Sequence, residues 1–186
     1  GFLTPSAALL RGRKSDGPHL IYVPESSFDK TKFFNDVMKV YNKYGKCIIA
    51  VSEGIKNNKN QLLATLENSS NEKDAHGNVQ LSGSGSLGDF LSNEIKKTLK
   101  IKRVRADTLG YPQRSFLGCY SEVDQKEAKL IGKKAFQFSL KTSESFSVSI
   151  KERSRFSSKY ETTFSLNSLE DIGGKTKYMS PKFINR

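Results

Sequence analysis

Residues 20–51 read LIYVPESSFDKTKFFNDVMKVYNKYGKCIIAV, and this stretch decides the fold. Residues 20–23 and 47–51 are short and continuously apolar, which is typical of strands buried on both faces of a sheet. Between them, residues 30–44 carry apolar side chains at helical spacing, and Gly45 is placed to end the helix. This order of elements predicts an α/β fold, in which an open, mostly parallel sheet has helices on both faces.

Further elements continue the alternation. The pattern predicts helices over residues 4–11, 89–100 and 121–140, and a third strand over residues 101–106. Ser121 and Asp124 have the spacing of a capping box at the start of the last helix. The inward face expected for that helix consists of Ala128, Ile131, Ala135 and Phe138.

Near the C-terminus the apolar period changes from helical to alternating. Phe146, Val148 and Ile150 alternate with polar residues, and so do Tyr160, Thr162, Phe164 and Leu166. The alternation predicts an antiparallel strand pair, with residues 151–159 as its exposed connection.

Composition narrows the class of partner. The 186 residues can form one domain, and their formal net charge of +12 favours an anionic partner. The basic residues form no run of five and no stripe interleaved with aromatic residues, so a nucleic-acid partner is not expected. No stretch reaches the roughly 18 apolar residues that span a bilayer, which argues against a membrane protein. Cys47 and Cys119 have neither metal-ligand nor disulfide spacing, which predicts a cytoplasmic location.

A possible anion clamp follows the third predicted strand. Residues 104–115 read VRADTLGYPQRS and place Arg105, Tyr111 and Arg114 around Gly110. Two guanidinium forks and a phenol match the oxygens of a phosphate or a carboxylate. The alternative is a basic loop that only contacts solvent.

Two carboxylates follow the first two strands. Glu25 and Glu53 each lie just past the carboxyl end of an apolar strand, where ligands bind in open parallel sheets. A sugar phosphate would use such a carboxylate for its hydroxyls and the basic turn for its phosphate. The alternative is that Glu25 and Glu53 are ordinary helix or loop carboxylates, and for Glu53 this alternative is favoured.

Two other residue patterns would indicate a different function, dinucleotide binding or triad catalysis, but both are less specific. Gly83, Gly85 and Gly88 match the G-x-G-x-x-G pattern, with Asp107 about 20 residues further on, as in dinucleotide-binding folds. The preceding strand would be short and half polar, however. His19 and His76 have no nucleophile beside them, so the sequence contains no evident catalytic triad.

Several of these segments together resemble the phosphofructokinase family, most closely its pyrophosphate-dependent branch. The resemblance rests on residues 18–25 (PHLIYVPE), 51–54 (VSEG), 76–81 (HGNVQL) and 105–114 (RADTLGYPQR), in family order. It continues through residues 121–128 (SEVDQKEA), 169–177 (LEDIGGKTK) and 182–184 (KFI), and so covers nearly the whole chain.

The resemblance implies a pocket for fructose 6-phosphate, whose phosphorylated product is fructose 1,6-bisphosphate. Glu25 matches the carboxylate that hydrogen-bonds the sugar, and Tyr111 and Arg114 match groups that hold the 6-phosphate. Arg105 matches an arginine that reaches the 6-phosphate of a neighbouring subunit, which implies a homo-oligomer. Tyr111 favours pyrophosphate over ATP as the phosphoryl donor. Pro112 departs from the usual leucine or isoleucine.

The resemblance also implies that parts of the enzyme lie upstream. The family's donor glycine loop, its Thr-Ile-Asp-Asn-Asp stretch with the catalytic base, and its Met-Gly-Arg motif have no counterpart here. Residues 1–186 are therefore expected to be a partial chain: the sugar-phosphate domain with a C-terminal extension, without the donor domain. Mg²⁺ would be bound mainly by the missing part, and the piece alone is expected to be inactive. A non-catalytic sugar-phosphate module is the alternative.

Overall fold

A computed structural model describes residues 1–65, 86–110, 118–151 and 160–184. The chain divides into two units, one formed by Gly1–Gln113 with Tyr178–Arg186 and the other by Arg114–Lys177. None of the helices in the described ranges is long and apolar enough to cross a membrane.

The first unit is built around a parallel strand pair. Strands β1 (Leu20–Tyr22) and β2 (Ile49–Val51) pair in parallel, with Tyr22 opposite Val51. Helix α2 (Lys30–Tyr44) connects them, as predicted. It begins where the Asp29 carboxylate accepts a hydrogen bond from the Lys32 N–H at 2.8 Å. It ends at Gly45, whose φ of 68° belongs to the left-handed region that glycine adopts without strain.

The core of this unit lies between α2 and helix α3 (Ser86–Leu99). Phe33 of α2 is 1% exposed, and its ring contacts those of Tyr22, Phe28 and Phe34 at centroid distances of 5.2–5.5 Å. The buried apolar residues of α3 recur at helical spacing: Leu87, Leu91 and Ile95. Short 3₁₀ turns at Leu63–Thr65 and Pro181–Phe183 also belong to this unit.

The N-terminal helix is shorter than predicted. An α-helical turn, α1 (Leu3–Ser6), passes into a 3₁₀ turn at Ala7–Leu10, instead of one helix over residues 4–11. The Arg11 N–H donates to the Ala8 carbonyl at 3.2 Å, which is the tighter bond of a 3₁₀ turn. A segment this short gains too few helical hydrogen bonds to propagate, so its last turn tightens.

The third strand predicted over residues 101–106 does not form, and the segment is irregular. Ile101 and Val104 both pack against the core. In a regular strand, residues three apart point to opposite faces. Both side chains can therefore be buried on one side only if the backbone leaves strand geometry.

The second unit contains a helix and an antiparallel strand pair. Helix α4 (Glu122–Ser139) begins where the Ser121 hydroxyl accepts a hydrogen bond from the Asp124 N–H at 3.2 Å, as predicted. Strands β3 (Phe146–Ile150) and β4 (Phe164–Ser168) pair with Val148 opposite Leu166, and a short helix, α5 (Leu169–Ile172), follows. The predicted connection lies outside the described residues, except Lys151.

The inward face of α4 differs from the prediction by one position. Ile131, Ala135 and Phe138 are half-buried, but Ala128 is exposed and Glu127 is buried instead. The Glu127 carboxylate accepts hydrogen bonds from the hydroxyls of Tyr160 at 2.8 Å and Thr162 at 2.5 Å. These residues precede β4 rather than forming part of it. The two hydroxyl hydrogen bonds offset the cost of burying the Glu127 carboxylate. Glu127 therefore takes the inward position that the apolar pattern predicted for Ala128.

Candidate functional site

The carboxyl ends of β1 and β2 lie side by side and are packed closely. The Ser52 N–H donates to the Tyr22 carbonyl at 3.0 Å, which continues the pairing past the end of β2. A Cβ on Gly54 would lie 3.3 Å from Cγ of Pro24, and a Cβ on Gly1 would lie 3.1 Å from Cδ of the same proline. Glycine at both positions therefore allows a close approach to the residue that precedes Glu25.

Glu25 is buried at this edge of the sheet, with its side chain 5% exposed. Its Oε1 lies 2.7 Å from the nitrogen of Gly1 and accepts a hydrogen bond from the Met179 N–H at 3.0 Å. Burial by itself raises the pKa of the Glu25 carboxyl, whereas the hydrogen bond from the Met179 N–H lowers it. One oxygen of the carboxyl is therefore held from a backbone position far away in the sequence.

The second oxygen of Glu25 has a different environment. Oε2 is buried and has no hydrogen-bond partner among the described residues. Leaving a buried acceptor unpaired costs about 1–3 kcal/mol, and more when the group is charged. A hydroxyl or N–H of a ligand that reached Oε2 would recover that cost.

Glu53 lies at the same edge, two residues past the end of β2, and is half-buried. Because β1 and β2 run parallel and in register, Glu53 and Glu25 follow neighbouring strand ends. The structure thus places both carboxylates singled out in the sequence at one edge of the sheet.

A cavity of about 440 Å³ adjoins Glu25, between β1 and the N-terminal half of α2. Its polar lining includes Tyr22, Lys32 and Asp36. The Tyr22 hydroxyl is buried and lies near the Asp36 carboxylate. Burial, and secondarily the charge of Asp36, raises the pKa of Tyr22. The sequence analysis did not single out these residues, because Tyr22 is part of an apolar strand. The signal that could have indicated a shared face is the four-residue spacing of Lys32 and Asp36, which places both on one side of α2.

The predicted phosphate clamp is described only in part. Arg105 is exposed, in the irregular segment that follows α3. The start of α3 approaches this segment closely, since a Cβ on Gly88 would lie 3.1 Å from the Ala106 Cβ. Tyr111 and Arg114 lie outside the described residues, as does Pro112, so the clamp stays a prediction.

The structure explains the described residues of the glycine pattern and one of the two histidines. Gly88, the last glycine of the dinucleotide-like pattern, allows α3 to pack closely against Ala106, because it has no Cβ. Gly83 and Gly85 lie outside the described ranges. The His19 Nδ1 accepts the Ile48 N–H at 3.0 Å, and its Nε2 lies 3.2 Å from the Ser15 carbonyl, so this ring joins two loops. His76 lies in the undescribed part. Within the described ranges, no three His, Cys, Asp or Glu side chains are grouped as metal ligands would be.

Residues 1–139 match the model of the phosphofructokinase family, and the chain belongs to that family. It is 49% identical over 184 residues to the pyrophosphate–fructose 6-phosphate 1-phosphotransferase of Rhodospirillum rubrum, a match that covers 99% of this chain and 45% of that relative. It is 31% identical over 141 residues to the enzyme of the same name from Xanthomonas campestris, covering 76% of this chain and 32% of the relative. The chain thus spans less than half the length of these relatives.

Solved structures support the fold. The pyrophosphate-dependent phosphofructokinase from Nitrosospira multiformis superposes with a TM-score of 0.74 at 22% identity, over 100% of this chain and 40% of that chain. The corresponding protein from Marinobacter aquaeolei gives a TM-score of 0.73 at 21% identity. The predicted phosphofructokinase-like α/β fold with an antiparallel strand pair is therefore confirmed.

Proposed function

We propose that this chain binds fructose 6-phosphate in an enzyme that phosphorylates the sugar at its 1-hydroxyl. The observation that carries the proposal is Glu25, a buried carboxylate at the carboxyl end of β1 with one oxygen fixed and the other unpaired. Such a carboxylate can accept a hydrogen bond from a sugar hydroxyl. Family membership and the names of the relatives favour this acceptor and favour pyrophosphate over ATP as the donor.

The 6-phosphate would be held by Tyr111 and Arg114, and by Arg105 of a neighbouring subunit in a homo-oligomer. Exposure of Arg105 is compatible with a role toward another subunit. The net charge of +12 favours attraction of a phosphorylated substrate.

The contribution of this chain would be positioning. Phosphoryl transfer depends mainly on alignment of acceptor and donor and on charge stabilisation. Glu25 would orient the sugar ring, and the arginines would fix the end bearing the phosphate. Following what the family resemblance implies, we assign Mg²⁺ and the phosphoryl donor mainly to the remainder of the whole enzyme. We also propose a cytoplasmic location, since Cys47 and Cys119 are both free thiols.

Steady-state kinetics of the full-length protein that contains this chain would test the proposal. Glu25→Gln keeps an oxygen for the Met179 N–H but removes the charge and one acceptor. Because a hydrogen bond to a charged group contributes about 1.5–3 kcal/mol, we expect the KM for fructose 6-phosphate to rise by about tenfold to a hundredfold. The KM for pyrophosphate should stay unchanged.

Two further variants make the result specific. Glu161→Gln changes an exposed carboxylate of the second unit and should behave as wild type. Glu53→Gln tests the neighbouring strand end: a rise in the KM for fructose 6-phosphate in this variant, with no effect of Glu25→Gln, would assign the sugar to Glu53 instead. Absence of pyrophosphate- or ATP-dependent phosphorylation of fructose 6-phosphate by the wild-type protein would overturn the proposed function itself.

A further inference from the structure

The C-terminal segment Tyr178–Ile184 returns to the strand end that carries Glu25. The Met179 N–H donates to Glu25 Oε1 at 3.0 Å across 154 residues of sequence. The Met179 side chain is 7% exposed, whereas the flanking Tyr178 is 62% exposed. The segment is therefore attached at a defined point, by one buried side chain and one backbone hydrogen bond.

A second contact lies at the end of the same segment. Ile184 is half-buried and lines the cavity that Glu25 also lines. Between the two inward residues, a 3₁₀ turn begins at Ser180, with Pro181 as its first residue. Proline restricts the backbone of this turn, so the turn limits how far Met179 and Ile184 can move relative to each other.

The attachment bears directly on the orientation of Glu25. A carboxylate on a flexible side chain rotates unless its oxygens are held, and Oε1 accepts the hydrogen bond of the Met179 N–H and lies 2.7 Å from the nitrogen of Gly1. Met179 supplies its hydrogen bond from a rigid backbone position. With Oε1 fixed in this way, Oε2 keeps one direction, and this is the oxygen without a partner.

We propose that Tyr178–Ile184 is a strap that positions Glu25 for sugar binding, with Met179 as its positioning residue. The proposal rests on the proposed function, because it concerns the same carboxylate. Met179 does not touch the sugar in this scheme; it acts through the hydrogen bond to Glu25.

Substitution of Met179 in the full-length enzyme tests the strap. Met179→Ala removes the buried side chain, so the segment loosens and its N–H no longer holds Oε1. Because a misplaced Glu25 keeps only part of its hydrogen bond to the sugar, we expect the KM for fructose 6-phosphate to rise on the order of tenfold, at the low end of the rise expected for Glu25→Gln. The KM for pyrophosphate and kcat should change by less than about threefold, as expected when only acceptor binding is lost.

The chain offers matched controls. Met179→Leu keeps a similar volume and should restore the wild-type KM. Met38, the other methionine of the chain, is half-buried in α2, and Met38→Ala should lower thermal stability without moving the KM for fructose 6-phosphate. If Met179→Ala does not yield folded protein, Ile184→Ala loosens the other end of the strap and carries the same expectation.

A second measurement separates failure of the strap from failure of the proposed function. Hydrogen exchange of the backbone amides at residues 22–28 should be faster in Met179→Ala than in Met38→Ala, whatever the enzyme phosphorylates. Equal exchange in the two variants, or an unchanged KM for fructose 6-phosphate in Met179→Ala, would overturn the strap. Faster exchange in Met179→Ala, together with a wild-type protein that does not phosphorylate fructose 6-phosphate, would overturn the proposed function and leave the strap in place.

Discussion

Substitution of Gly88 by alanine would test why the glycine-rich pattern ends where it does. Gly88 is the third residue of α3, and a Cβ at this position would lie 3.1 Å from the Ala106 Cβ. That separation is tighter than ordinary carbon–carbon contact, which is about 3.5–4.0 Å. Neither atom belongs to the end of a flexible side chain, so α3 and the segment that contains Arg105 and Ala106 would have to move apart.

Two opposing effects set the size of the change. Alanine favours a helix over glycine by about 1 kcal/mol, which stabilises the variant. Overpacking of a close contact costs about 1–3 kcal/mol, which destabilises it. The expected net result for Gly88→Ala is a loss of about 0–2 kcal/mol in the free energy of unfolding.

A double-mutant cycle isolates the contact. Ala106→Gly removes the opposing Cβ, so the double variant should recover about 1–2 kcal/mol relative to the sum of the single changes. Urea unfolding of the four proteins would measure this coupling. A Gly88→Ala variant that gains the full helical preference, with no coupling to Ala106→Gly, would refute the close-packing explanation of Gly88.

Two other predictions concern the core and the thiols. Phe33→Ala should lower the free energy of unfolding in urea by about 3–5 kcal/mol, because the ring is fully buried, whereas Phe136→Ala, at an exposed position, should change it by less than about 0.5 kcal/mol. Burial raises the pKa of the Cys47 thiol to about 11, so a thiol reagent at about pH 8 should label exposed Cys119 on the order of a hundredfold faster; equal rates would contradict the burial of Cys47.

Local signals in the sequence were sufficient for the main elements. The parallel strands and α2 were predictable because each depends on residues close together in the sequence. The two apolar runs indicate the strands, the helical period indicates α2, and Gly45 indicates where α2 ends. The hydroxyl of Ser121 bonds a backbone N–H three residues away, so the start of α4 was equally readable. The antiparallel pair followed from alternation along each strand.

Part of the candidate site was also predictable. The rule that ligands bind at the carboxyl ends of parallel strands singled out Glu25 and Glu53, and the structure places both at one edge of the sheet. The roles of Arg105, Tyr111 and Arg114 stay predictions. The lining of the cavity by Tyr22 could not be predicted, because a tyrosine in an apolar strand gives no sign of which side its hydroxyl will reach.

The sequence by itself therefore determined the order of the elements, their period, and which polar residues follow the strand ends, since these properties depend on neighbours in the chain. Only the tertiary structure decided what surrounds them. It broke the predicted third strand, because Ile101 and Val104 are buried against the same core, and it buried Glu127 beside hydroxyl donors from a distant segment. It also gave Glu25 a donor from Met179, 154 residues away, which no local pattern records because that contact forms only when the chain has folded back on itself.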